Sequence, residues 1–251
     1  MRTPDRHGSG TDRIGVAGRG VAPVTAPIGP KLAEGRDAEI YEHGPGRVLR
    51  LARGGGSLLH EAEVMRHVRA SGYPVPEVHD AGDGFMVMER VEGPTMLDAL
   101  ARAPHQLGHH GRLLAQLHQR LHALPAPPWL PPAALAGDRL LHGDLHPLNV
   151  LMARDGPVVI DWTNARRGAP ALDVADAWAL LASAEVPGSL AARTVARLGT
   201  RAFLRAFLAG VDREEARRAL PAAVARRVAD ANTTDRERSR MRRLVPEDPA
   251  G

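Results

Sequence analysis

Asp144 and Asn149 stand five residues apart in the stretch His142-Gly143-Asp144-Leu145-His146-Pro147-Leu148-Asn149, and Asp161 follows the run Val158-Val159-Ile160. Apolar residues frame them: Leu140-Leu141 before the first turn, Val150-Leu151-Met152 after it, and Trp162 beyond Asp161. Such runs bounded by polar turns read as short buried strands, so three oxygen-bearing side chains emerge from the loops between strands. A carboxylate that accepts a hydroxyl proton, with an Asn and a second carboxylate suited to Mg2+, is the set that phosphoryl transfer from ATP requires. That chemistry asks for positioning and charge neutralisation, with little covalent work for the protein.

Taken singly, Asp144 and Asn149 would pass as turn residues bonding their own backbone. Turn chemistry does not supply a second carboxylate behind a buried strand, and four fixed residues at this spacing recur by accident in roughly one chain in a thousand. The arrangement resembles the protein-kinase pattern of a catalytic-loop Asp, an Asn after four intervening residues, and a metal-holding Asp beyond. Here His-Gly-Asp stands for His-Arg-Asp and Asp161-Trp162-Thr163 for Asp-Phe-Gly. These replacements resemble the aminoglycoside phosphotransferase and choline kinase branch of the kinase-like superfamily, from about Ile28 to the C-terminal helices. The resemblance implies an α+β, bilobal protein kinase-like fold. A small antiparallel-sheet lobe with one helix would bind the nucleotide over residues 27–90, and a larger, mainly helical lobe over 91–251 would hold the catalytic and substrate sites. It further implies Asp144 as catalytic base, Asn149 and Asp161 as Mg2+ ligands, ATP as cofactor and a hydroxylated small molecule as acceptor.

The elements that must position these groups follow in order. Residues 1–26 are rich in Gly, Arg, Thr and Pro without periodicity and read as a flexible tail. A first strand near Gly29–Ala33 precedes Glu34-Gly35-Arg36-Asp37, where a kinase has its phosphate-covering loop; one glycine, Gly35, stands there. Ala38–Glu42 and Arg47–Leu51 alternate around the hairpin turn His43-Gly44-Pro45-Gly46. In the third strand Arg50 occupies the place of the family's phosphate-pairing lysine, an exchange that changes the geometry of the grip. Ser57 reads as the N-cap of a helix whose stripe is Leu58, Ala62 and Met65, and Glu61 aligns with the helix glutamate that pairs with that cation. Strands near Glu77–His79 and Phe85–Met88 lead to a segment resembling the family's hinge, where backbone groups from Glu89 to Val91 would meet the adenine edge.

Beyond it the period turns helical. Leu114, Leu117, Leu121 and Leu124 define a buried helix carrying His118 and His122, half of a zinc set with no third ligand at motif spacing and so read as ordinary helix histidines. Gly168-Ala169-Pro170-Ala171-Leu172-Asp173 resembles the family's Gly-x-Pro-x-x-Asp segment, with Asp173 tying loop backbone under the site. Val195, Leu198, Ala202 and Ala206 form a helical stripe widened by Phe203 and Phe207, followed by helix over Glu214–Val228 and a charged terminal helix over Arg236–Arg243.

Composition narrows the partners. The chain has 251 residues, no cysteine and a net charge of +4, with Lys31 its sole lysine. Absence of cysteine fits a reducing compartment, no run approaches the ~18 apolar residues of a membrane span, and the expected location is cytoplasmic. Two Tyr and three Phe leave no stacking platform, which argues against nucleic acid. Glu185, Asp212, Glu214, Glu215, Asp230 and Asp235 are the carboxylates available to rim a polycationic acceptor. The alternative is a nucleotide-binding pseudokinase acting as an interaction module, for which Arg50 and the sparse glycine loop speak. The sequence carries no signature of oligomeric state.

Overall fold

The computed structural model describes residues 28–35, 38–184, 189–231 and 233–245. The expected tail, Arg36, Asp37 and Glu185 lie outside them. Strands β1 (Lys31–Glu34), β2 (Ala38–Glu42), β3 (Arg47–Ala52), β4 (Val78–Gly82) and β5 (Phe85–Glu89) form an antiparallel sheet in the order β1-β2-β3-β5-β4. Side chains alternate across a strand. The register that pairs Ile40 and Met86 with Arg50 therefore puts Arg50 on the face of Ala52, Met86 and Met88, which join the main core. Leu49, Phe85 and Val87 pack on the other face with Tyr41 and Leu51.

Helix α1 (Leu59–Ala70) lies between β3 and β4, and its stripe Leu58, Ala62 and Met65 is buried as expected. Its cap differs from the expectation: the N-cap residue is Leu58, with no side-chain bond closing the first turn. Ser57 is drawn instead into a bridge with Asp83, and its Oγ only grazes the Leu59 N–H at 3.4 Å.

The remainder is helical: α2 (Met96–Arg102), α3 (Leu107–His122), α4 (Pro170–Ser183), α5 (Leu190–Leu208), α6 (Arg213–Ala229) and α7 (Asp235–Arg242). Two small antiparallel pairs, β6 (Arg139–Leu141) with β9 (Arg166–Gly168) and β7 (Val150–Ala153) with β8 (Gly156–Val159), carry the polar loops between them. One apolar cluster runs from α1 through Leu114, Leu117 and Leu121 to Phe203 and Phe207, with Trp162 fully buried in it. Truncating such a tryptophan costs about 3–5 kcal/mol. A second cluster sets Leu172, Ala175 and Ala179 of α4 against Ala219, Leu220, Ala223 and Val224 of α6. Among the described residues no helix is long and apolar enough to cross a membrane.

The stripe expected to be helical lies on α5, and only its aromatic part is buried. Val195 and Leu198 are 70% and 58% exposed, whereas Phe203 and Phe207 are buried. The two aromatic side chains that widen the stripe have more area to bury than Val195 and Leu198. Gly111 on α3 admits them: a Cβ there would lie 2.6 Å from the Phe203 carbonyl oxygen, so only glycine lets the two helices approach this closely.

Candidate active site

The loop from His142 to Asn149 is held from beneath. The Asp173 carboxylate accepts the backbone N–H groups of His142 (3.0 Å) and Gly143 (2.7 Å), together with His122 Nε2 (3.0 Å). Gly143 has φ +75°, and a Cβ on it would meet the Asn164 carbonyl oxygen at 2.5 Å, so the turn requires glycine on both counts. The Asp144 N–H donates to His142 Nδ1 (3.2 Å), which puts the imidazole proton on Nε2, facing the Ile160 carbonyl at 3.1 Å. That bond and Ile160 N–H to Asn149 O (3.0 Å) lace the loop to the strand end that delivers Asp161.

Three groups converge on this frame. Asn149 Nδ2 donates to the Asp144 carbonyl (2.9 Å) and approaches Oδ2 (3.3 Å). Its Oδ1, which takes no hydrogen bond among the described residues, is left for a cation. Asp161 has φ +65°, a conformation costly for a side-chain-bearing residue, and its carboxylate is 44% exposed. Thr163 Oγ1 bonds its Oδ1 at 3.0 Å and Arg50 Nη2 stands 3.7 Å from the same oxygen. An all-oxygen donor set of one amide and one carboxylate suits a hard divalent ion such as Mg2+.

On the sheet side Arg50 Nη1 meets Glu61 Oε1 at 2.5 Å, with both side chains largely buried. Glu61 reaches further: Oε1 accepts the Trp162 N–H (3.2 Å) and Oε2 the Thr163 hydroxyl (3.1 Å). Gly35 lies in the β1–β2 turn, its N–H bonded to the Ala38 carbonyl at 2.9 Å. At the end of β5 the Glu89 N–H goes to Glu77 O (2.8 Å), and just after it the Arg90 N–H goes to Gly46 O (2.9 Å). The Val91 N–H makes no hydrogen bond among the described residues and is free for a ligand. Gly93, at φ +152°, lets that segment press on β7, where a Cβ would fall 2.3 Å from the Met152 carbonyl oxygen.

Electrostatics separate the carboxyls. Burial opposes ionisation of Asp144, but His146 and Arg227 outweigh it and hold the group well below the usual carboxylate range. Asp173 is fully buried and is likewise held low, by His122, His118 and His142 against the cost of burial. Burial pushes Asp176 up to about 6, in spite of Arg226 and Arg227 beside it, and lowers His118 to about 3.

Two features were not read from the sequence. Asp173, arriving from α4, gives His118 and His122 a third neighbour, with ligand-type atoms all within 4.8 Å. Its oxygens are already taken by the His142 and Gly143 N–H groups, so the cluster works as a hydrogen-bond network under the loop. Arg227 of α6 bonds Asp144 Oδ1 at 2.6 Å. A signal for it existed: the buried stripe of α6, Ala216, Ala219, Leu220, Ala223 and Val224, continues at helical spacing onto Arg227.

A small antiparallel sheet with one packed helix, followed by a helix-rich part whose polar loop faces that sheet, defines a protein kinase-like phosphotransferase fold. The model of the phosphotransferase enzyme family matches residues 29–139 and 128–211, and the chain belongs to this family. Among solved structures, a choline/ethanolamine kinase family protein from Mesorhizobium loti superposes with a TM-score of 0.58 at 16% identity, covering 89% of each chain. Aminoglycoside phosphotransferase APH(4)-Ia gives 0.60 at 19% identity, covering 86% of this chain and 92% of that one. At these identities the likeness is one of fold. A probable serine/threonine-protein kinase BUD32 homolog of Archaeoglobus fulgidus is 26% identical over 102 residues, 41% of this chain and 42% of that protein.

Proposed function

We propose that this protein transfers the terminal phosphoryl group of ATP to a hydroxyl of a small molecule. Asp144 orients the acceptor and takes its proton, and Asn149 and Asp161 would hold Mg2+, which would supply charge neutralisation at the phosphates. Arg50, steadied by Glu61, grips those phosphates in place of lysine, while Gly35 and the backbone at Glu89 and Val91 frame the nucleotide. On this reading residues 27–90 form the nucleotide lobe and 91–251 the catalytic and acceptor lobe, acting in the cytoplasm. The observation that carries it is the lacing of the Asp144 loop to the Asp161 strand, with Glu61 tying Arg50 to the same segment.

The acceptor is a hydroxylated metabolite or antibiotic. Structural neighbours are described in complex with streptomycin, gentamicin and hygromycin B, one other as an ethanolamine kinase and one as a choline/ethanolamine kinase family protein. The carboxylates expected to rim a polycation are scattered. Asp212, Glu214 and Glu215 sit at the start of α6, and Arg227 lies some twelve residues further along, about 18 Å at the helical rise. A coupled ADP-release screen over amino alcohols, sugars, macrolides and aminoglycosides tests the reading, which predicts that one class stimulates release. Nucleotide binding without stimulation by any of them would favour a binding module, the reading that Arg50 supports.

A further inference from the structure

Two consecutive arginines of α6 grip the catalytic-type loop. Arg226 Nη2 donates to the Gly143 carbonyl at 2.7 Å and Arg227 Nη2 to Asp144 Oδ1 at 2.6 Å. Neighbouring helix residues point about 100° apart, and Asp176 on α4 stands between these two, 2.9 Å from Arg226 Nη2 and 3.5 Å from Arg227 Nε. The helix does not need this contact to dock, because Leu220, Ala223 and Val224 already seat it on α4. A guanidinium only 8% exposed, with a buried Nε that has no hydrogen-bond partner, is a costly way to fasten a helix.

The contact makes the two oxygens of Asp144 unequal. Oδ1 takes the short, charge-assisted bond from Arg227, whereas Oδ2 has only Asn149 Nδ2 at 3.3 Å and His146 Nε2 at 3.4 Å, both beyond the ordinary range for such bonds. We propose that Arg227 is a positioning residue for phosphoryl transfer: it pins the Asp144 carboxylate through Oδ1 and so presents Oδ2 to the acceptor hydroxyl. The assignment rests on the reading of Asp144 as the base. It makes α6 part of the transfer machinery, and it places a fixed positive charge beside the acceptor.

The test uses the full chain with Mg·ATP, water serving as acceptor alongside any acceptor found in the ADP-release screen. Arg227→Gln is expected to lower kcat about 100-fold, the scale of a misaligned reacting group, with KM for ATP and Mg·ATP affinity within about two-fold of wild type. Arg227→Lys, which keeps the charge but loses the planar fork, is expected to recover most of that loss. Should Arg227→Gln fail to fold, the double variant with Asp176→Asn removes the stranded carboxylate, and its kcat decides in the same way. An unchanged kcat in a folded Arg227→Gln or double variant overturns the assignment, as does a kcat that falls only in step with ATP affinity. A wild-type protein that neither binds nor turns over Mg·ATP would instead remove the phosphotransferase reading itself.

Discussion

Glu61 accepts the backbone N–H of Trp162 at 3.2 Å across 101 residues of sequence, while the same oxygen holds Arg50 at 2.5 Å. One buried carboxylate thereby sets both the cation on the sheet and the loop that carries Asp161. Glu61→Ala leaves Arg50 without its buried counter-ion and is expected to cost roughly 3–5 kcal/mol, read by urea denaturation. KM for ATP should rise with it. A stability loss near zero would show that the pair does not organise the site.

Gly143→Ala asks whether the catalytic-type turn tolerates a side chain. The left-handed backbone alone costs about 1–2 kcal/mol, and the added methyl would sit 2.5 Å from the Asn164 carbonyl oxygen. We expect lower stability together with lost turnover, because relieving the clash displaces the adjacent Asp144. Full activity in this variant would mean that the turn relaxes without moving the carboxylate.

Acid sensitivity should have a named source. His118 is buried against the Leu145 carbonyl, near Asp173, His122 and His142, and burial lowers it from 6.5 to about 3. Between those values the unfolded chain binds a proton that the folded protein refuses, so His118 lowers stability as pH falls, by up to about 1.4 kcal/mol per pH unit, while Asp176, raised to about 6, works in the opposite direction below that value. Asp173, also depressed when folded, adds to the loss only below its unfolded value of about 3.9. His118→Gln keeps a donor for Leu145 and cannot titrate, so on going from pH 6.5 to 4.5 its urea midpoint should fall less than that of wild type, or rise. An unchanged slope would place the sensitivity elsewhere.

The Mg2+ assignment is separable from the base. Asp161→Ala should shift the Mg2+ concentration needed for half-maximal ADP release upward by more than ten-fold, leaving the fold intact because the carboxylate is 44% exposed. Chelation by EDTA should stop wild-type turnover and added Mg2+ restore it. An Asp161→Ala variant with the wild-type Mg2+ dependence would contradict the ligand assignment.

The parts of the site legible in the sequence were those whose geometry is local. Asp144 and Asn149 sit in one turn and Asp161 follows one strand, whereas Arg50 and Glu61 were placed by the resemblance to the kinase-like family. Contacts chosen by tertiary packing were not. Arg227 meets a partner 83 residues away, and the stripe of α6 marks it for burial without naming Asp144 as that partner. Period gave α5 one wide apolar stripe without saying which part is buried, and the part that packs lies where Phe203 comes close to Gly111 on a different helix. Ser57 carries a good capping side chain, yet a strand-like bridge to Asp83 claimed it.

Turnover and nucleotide affinity of Asp144→Asn, measured side by side with wild type at saturating Mg·ATP, test the central claim most directly. The account predicts that kcat falls on the order of 10²–10⁴-fold while the Kd for Mg·ATP stays within about two-fold. Wild-type turnover in the variant would contradict it, since the carboxylate held by Arg227 of α6 and by Asn149 and His146 of its own loop would then have no part in the reaction.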